Sequence, residues 1–542
     1  MSNEVQALIT ILKQAAQQSP AAQNWPVAVD TWFSYCDAAE MSLLFQELLH
    51  LKVPLDEGSQ TAWGKLLEQF IDLQRRSSVL AGADLSQELK ELPERQDLIE
   101  LYSFLGTESR IRHQILLLLA MRADDASTEA VVSLLINDPP LEVTGFAIAL
   151  SPYLQRDTNW DLLFPALFQA LRHPIAAAAV LDLANYLCRN SKLTPHAATP
   201  ISTQLVQLLT GVVEQLSMIE DGSIMKHRGD LTAPEISEQV NQGVSLAVSL
   251  CDALALVGDP ELSSAVFQAM NLSHRRIQVE AAAALIKLEQ DAGRQRLVTL
   301  AEEPAIRIRV LKYAEELSVI DEVAAQYTTP TARAEGELAL YLAQPHIMGM
   351  PPARLELYDK VEMYWPGFDA QQTCFLFRYE YLLGAEPLMN IAIAAPEVQS
   401  VTADLTHCSP EDIYALFAAE GVTHDEIFEM DADDLDSQAE IDIVRLQRRA
   451  HDRGYEQIKL IQLGFFFGDR VLSAEAARDG VSGIVVVDAA DDVWFAQQNP
   501  QRPLTAQDAY NIYKGRKLLA TFNPELDSQR ETALESNSDD TV

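Results

Sequence analysis

His407-Cys408 stands directly before Ser409 in THCSPEDIYALF, and its chemistry is the easiest in the chain to write down. A thiol at a helix N-terminus is favoured as thiolate by the dipole, so Cys408 can be read as a nucleophile. Against this, no second histidine with an orienting acid lies close by, and a cysteine ahead of a helix usually packs. The sequence therefore assigns no catalytic residue. A second constellation is acidic. Between His424 and Asp442 lie Asp425, Glu426, Glu429, Asp431, Asp433, Asp434, Asp436, Glu440 and Asp442, with no Lys or Arg. On a calcium loop starting at Glu429, oxygens fall at the first, third and fifth positions and Glu440 at the twelfth. The sixth position, where the turn needs Gly, is Asp434. The segment reads as a solvated acidic linker, and no metal or cofactor is expected.

The third constellation is basic. From His274 to Lys312 eight cations face five acids, a local excess of three in a chain of formal charge -39. Arg276, Arg307, Arg309 and Lys312 are the candidate partner-binding residues, forming a ridge for an acidic protein partner or for the chain's own segment 425–442. The plainer reading is that each Arg caps carbonyls or lays its stem over a neighbouring helix. A fourth cluster, Lys514-Gly515-Arg516-Lys517, can hold an anion. Cations at the end of a helix begun at Thr505 also have an ordinary dipole explanation. In CFLFRYEY, Arg378 and Glu380 share one side of a strand, which suits a cross-strand ion pair.

The overall balance restricts these options. With 40 Lys+Arg against 79 Asp+Glu, the chain repels phosphate backbones and anionic lipid, so neither nucleic acid nor membrane is expected as a partner. The first twenty residues lack the pattern of a signal peptide, and no stretch of about 18 residues runs apolar without a charge or breaker, which predicts a cytoplasmic protein. Cys36, Cys188, Cys251, Cys374 and Cys408 are far apart and form no CxxC, so they signal neither a disulfide framework nor zinc.

At 542 residues the chain exceeds a single core. Its most informative pattern is self-similarity at an offset of 31 residues. Ala253 answers to Ala284, Leu254 to Leu285, Val266 to Leu297, Arg276 to Arg307, Ile277 to Ile308 and Val279 to Val310, and further on Ala283 answers to Ala314. Each unit has two apolar-periodic segments around a turn, Gly258-Asp259-Pro260 or Asp291-Ala292-Gly293, which predicts paired short helices stacked on their neighbours. Weaker copies lie upstream, with helix starts at Pro140 and Pro174. Residues 253–320 resemble short HEAT-type repeats of the kind seen in phycobilin lyase subunits, and the resemblance extends over about 110–320. It implies an armadillo-type α-solenoid that presents surface to partners.

Residues 1–100 read as further helices, in VQALITILKQAA, SLLFQELLHL, WGKLLEQFIDLQ and DLIELYSFL, as divergent repeats, a cap for the array or a small separate helical domain. Near residue 330 the texture changes. CFLFRYEY and NIAIAAP predict a hairpin, KLIQLGFFFGDRVLSAEAA and GVSGIVVVDAADDVWFA at least two more strands, and capping boxes at Ser409, Ser437 and Thr505 three helices. The expected organisation is mainly α: a helical region over 1–100, HEAT-like repeats over 101–330, a smaller α+β domain over 331–523 and an acidic tail over 524–542. The function this predicts is a non-enzymatic protein interaction scaffold. Alternatives are an enzyme subunit of the HEAT-like lyase type or an acidic immunity or regulatory protein. HEAT-type repeats also occur in iron hydroxylases and in alkylpurine DNA glycosylases. The chain has no His-Glu pair for the first, and its charge opposes the basic face of the second.

Overall fold

The computed structural model describes Thr10 and residues 37–51, 57–79, 92–122, 124–155, 159–224, 232–382, 384, 387–420, 428–431, 437–466 and 468–524. The chain divides into two compact units, Met1–Leu297 and Val298–Val542. The described part of the first unit is helical: α1 (Ala38–Leu51), α2 (Glu57–Val79), α3 (Arg95–Phe104), α4 (Ile111–Met121), α5 (Asp125–Asn137), α6 (Val143–Leu150), α7 (Pro152–Gln155), α8 (Pro174–Arg189), α9 (Ser202–Glu220), α10 (Ala233–Val257), α11 (Ser263–Met270) and α12 (Arg275–Lys287). Helix α13 (Asp291–Leu300) crosses the division. Three of the four N-terminal apolar segments form α1, α2 and α3, where Phe45 meets Trp63 and Phe70 edge-on at 5.4 and 6.0 Å. VQALITILKQAA lies outside the described residues. Pro174 opens α8, but Pro140 opens no helix, since α6 starts at Val143.

Helix α10 runs 25 residues from a capping box in which Thr232 and Glu235 bond each other's backbone N–H, and it stops at Gly258, whose φ of 75° is left-handed. Among the described residues it is the one helix long and apolar enough to cross a bilayer. It packs on α8, α9 and α12 with Leu250, Cys251 and Leu254 fully buried, the usual setting of a core helix.

Helix closure reveals a period that differs from the sequence alignment. Helix α12 and helix α14 (Pro304–Glu316) begin 29 residues apart, 275 against 304. Each ends in a left-handed non-glycine residue, Glu289 (φ 61°) or Ser318 (φ 56°). The next N–H then reaches back over the last turn, Gln290 to the Leu285 carbonyl at 2.9 Å and Val319 to that of Ala314 at 2.8 Å. This is a Schellman closure. Helix α8 closes alike, with Ser191 at φ 56° and Lys192 bonding the Leu187 carbonyl. Asp291-Ala292-Gly293 is therefore the first turn of α13 and not the connection. A Cβ at Gly293 would strike the Ala282 carbonyl, so glycine there permits close helix approach.

The second unit stacks its elements in layers. Helix α15 (Pro330–Leu342) is followed by β1 (Arg354–Tyr364), β2 (Gln371–Tyr381) and β3 (Leu388–Ala394), an antiparallel sheet with β2 central. Phe375, Phe377, Tyr379 and Tyr381 pack toward Ala334, Leu338 and Leu342 of α15, while Cys374, Leu376, Ile391 and Ile393 face the opposite way. Both faces are covered, which is why CFLFRYEY reads as a near-continuous apolar run. Beyond the sheet lie α16 (Pro410–Ala419) and α18 (Ala506–Phe522), and beyond these a second sheet, β4 (Phe428–Asp431), β5 (Glu456–Phe466), β6 (Asp469–Arg478), β7 (Val481–Val487) and β8 (Asp492–Ala496), in sequential antiparallel order. Helix α17 (Ser437–Asp452) covers its far face through Ala439, Ile443, Leu446 and Ala450 against Leu472, Ala474, Val485 and Val487. Every residue of α16 from Ile413 to Ala419 is buried. Each large apolar side chain there contributes roughly 2 kcal/mol.

The arrangement of helix, antiparallel strands, helix occurs twice in this unit, ending in α16 and in α18. The closing helices also share a pattern: Ser409 and Thr505 cap them, followed by Asp412 and Asp508, Tyr414 and Tyr510, and Phe417 and Tyr513. The chain is thus mainly α with an α+β part.

Candidate functional site

The four basic candidates do not share one fate. Arg307 is 2% exposed. Its Nε donates to the Ala301 carbonyl at 2.8 Å, Nη2 to that of Glu302 at 3.0 Å, and Nη1 to the Ala332 carbonyl at 2.9 Å and Glu335 Oε2 at 2.5 Å. The guanidinium also lies 5.3 Å from the centre of the Tyr327 ring. A fork on α14 that ties the end of the preceding helix to the first turns of the helix at Pro330–Leu342 has no face left for a partner, so Arg307 is a structural residue and not part of a docking ridge. The residue 29 positions earlier (278 against 307) is Gln278, which is also buried and donates to the Leu272 carbonyl at 2.6 Å, 29 positions before Ala301 (272 against 301). Arg276, matched to Arg307 by sequence, is exposed, as are Arg309 and Lys312. Arg309 lies 5.8 Å from the centre of the Tyr313 ring. Buried arginine at helix ends recurs at Arg112, which is 1% exposed, stacks 3.8 Å over Tyr102 and bonds the carbonyl and carboxylate of Asp138.

Arg276 borders a polar face built by three neighbouring helices. On α8, Asp182 accepts from the Ser249 hydroxyl of α10 at 2.7 Å, and Arg189 pairs with Asp252. Burial raises both carboxyls, partly offset for Asp182 by Ser249 and Arg276 and for Asp252 by Arg189 and Lys287. Beneath this face Asn185 donates to the Ser249 carbonyl at 3.1 Å, and its side-chain oxygen lies 3.0 Å from Nε2 of the buried His196.

In the second unit the cleft of about 180 Å³ at the start of α16 gathers Asp404, His407, Cys408, Asp412, Arg502 and Arg516. The thiolate reading of Cys408 is reversed: burial, then the carboxylates Asp412, Asp404 and Asp508, push the thiol up to about 12. A dipole at Ser409 does not offset three acids and an apolar setting. The other charges are paired within the fold. Burial pushes the Asp404 carboxyl up, but bonds from Asn499 at 2.7 Å and from Thr406, with Arg502 at 3.3 Å, bring it below its ordinary value. Arg516 pairs with Asp412 at 2.5 Å.

Lys514-Gly515-Arg516-Lys517 lies inside α18, which runs on to Phe522, so these cations are not at a helix end. Lys517 donates to Asp488 at 2.7 Å, joined by the Tyr513 hydroxyl and the N–H groups of Ala490 and Asp491, both at 2.6 Å. Burial raises the Asp488 carboxyl, yet these donors outweigh it and hold it at about 2. Gly515 allows α18 to touch the Ala415 carbonyl of α16. Of the acidic segment, 428–431 is strand β4 and 437–442 opens α17, where Asp442 is buried beside Arg445 and Arg470. Residues 425–427 and 432–436 lie outside the described residues. Among the described residues no group of His, Cys, Asp and Glu is arranged to hold a metal. Arg378 stands opposite Glu356 and Glu380 opposite Arg354 in the ladder, although the ion pair formed joins Arg354 to Glu356 at 2.6 Å.

No protein family, curated protein or solved structure matches this chain.

Proposed function

We propose that the chain is a non-enzymatic scaffold in which a HEAT-like helical array presents cationic positions to an acidic protein partner. The observation that carries this reading is the division of labour within the repeated helices. The inward positions Gln278 and Arg307 stitch helix ends, while Arg276, Arg309 and Lys312 stay exposed in a strongly acidic chain. Helices that start 29 residues apart (275 against 304) and close alike support a reading as repeated helical units, the kind of unit that stacks into solenoids. Local cations in an acidic background give such a surface selectivity for acidic partners. The test is affinity capture of the full chain from its native cell, with Arg276→Glu, Arg309→Glu and Lys312→Glu combined. Loss of the captured protein with unchanged thermal unfolding is expected. Capture that survives all three reversals removes the reading.

A further inference from the structure

The second unit holds a cavity of about 560 Å³ on the α18 side of the five-stranded sheet, apart from every residue assigned above to docking. Its origin is the mismatch between strand and helix length. Helix α18 starts at Ala506, and the strands run on past it. Along this face the ladder places Glu475, Ile484 and Phe495 in one row, then Ala477 opposite Ser482, whose carbonyl accepts from the Gln497 N–H. Small side chains at 477 and 482 leave the end of the layer unfilled. Ile461, Ile484, Phe495 and Leu504 supply apolar walls, and Gln457, Ser482 and Glu475 bring polar groups to them. The volume lies within the range of small-molecule sites, which pair apolar walls with a few polar groups.

We propose that this cavity binds a small molecule with an apolar, ring-sized body and a cationic amine head. Glu475 is the one charged side chain in the lining, and it stands in a chain of charge -39 that disfavours anions. Its exposed partner Lys459, at 3.3 Å, holds it in a surface pair of the weak kind that a ligand ammonium can replace. The Phe495 ring adds an aromatic wall suited to the apolar body of such a ligand.

The test uses the full-length chain and three probes of one shape, phenethylamine, 2-phenylethanol and 3-phenylpropionate, followed by saturation-transfer NMR. The amine is expected to saturate about threefold to fivefold more tightly than the alcohol, the advantage an exposed ion pair gives, with the acid weakest. Glu475→Gln should erase the preference for the amine while keeping alcohol binding. Ser482→Trp, which fills the cavity, should abolish all three, and Ala477→Leu does the same service should the tryptophan variant fail to fold. Probes that do not saturate, or that bind the filled variants as well as the native chain, overturn the proposal. Binding lost on filling but with no preference for the amine overturns the assignment of the head group.

Discussion

Protonation of His196 should weaken the first unit within an accessible pH range. The ring is 2% exposed between α8 and the loop that follows it. Its Nδ1 accepts from the Ala198 N–H at 3.2 Å, so Nε2 carries the proton and donates to Asn185 Oδ1 at 3.0 Å. A second proton would have to sit on Nδ1, facing an N–H in an apolar setting, and burial accordingly lowers the pKa from 6.5 to about 4. The unfolded chain takes up the proton first. The contribution of neutral His196 is thus complete above pH 6.5 and is lost as pH falls toward 4, to a total of roughly 3 kcal/mol. Between pH 7 and pH 5 the loss is about 2 kcal/mol, or roughly 20-fold in the opening equilibrium. Amide hydrogen exchange of peptides from 174–201, corrected for intrinsic rates, measures this in the intact chain. His196→Asn should remove the pH dependence of that segment while lowering its protection at pH 7. Native protection in 174–201 that is equal at pH 7 and pH 5, or a pH response that survives the substitution, would refute the reasoning.

Other perturbations probe the remaining parts of the account. Arg307→Met leaves three carbonyls and Glu335 without their buried donor, and should cost about 3 kcal/mol or more, read as faster exchange in α14 and α15. Gly515→Ala drives a methyl into the Ala415 carbonyl and should lower the melting temperature sharply, whereas Gly211→Ala, with open space around it in α9, should raise stability by up to about 1 kcal/mol. Asp488→Asn removes a carboxylate held at about 2 and should cost about 2 kcal/mol at pH 7. That difference should be present above pH 4 and vanish as pH falls toward 2, as followed by urea unfolding across that range.

Several of these features were legible in the sequence and others were not, for physical reasons. The hairpin of β2 and β3 was, because a sheet covered on both faces needs short apolar runs between turns, and Thr373–Pro396 has them. Strand β1 was not: RLELYDKVEMY is an edge strand whose charges hide its alternation. Strand β4 has four residues inside an acidic run. The offset of 31 rests in part on the shared pattern Arg-Ile-x-Val. In one copy Arg276 is the second residue of its helix, while in the other Pro304 opens the helix early and places Arg307 fourth. Helix starts determine which side chains turn inward, and half a turn separates an exposed arginine from a buried one. The outcome for Cys408 depended first on its burial, then on the local Asp412 and Asp404, and on Asp508, which folding brings near from far along the chain; no local pattern announces the burial or Asp508.

The proposed docking is electrostatic and rests on the exposed Arg276, Arg309 and Lys312. Its most direct measurement is the dissociation constant between the purified chain and its captured partner at about 50 and 200 mM salt, set against the Arg276→Glu, Arg309→Glu, Lys312→Glu variant. Binding should weaken with salt in the native chain and be at least about tenfold weaker, with little salt dependence, in the variant. Equal affinities and equal salt dependence in the two proteins would contradict it.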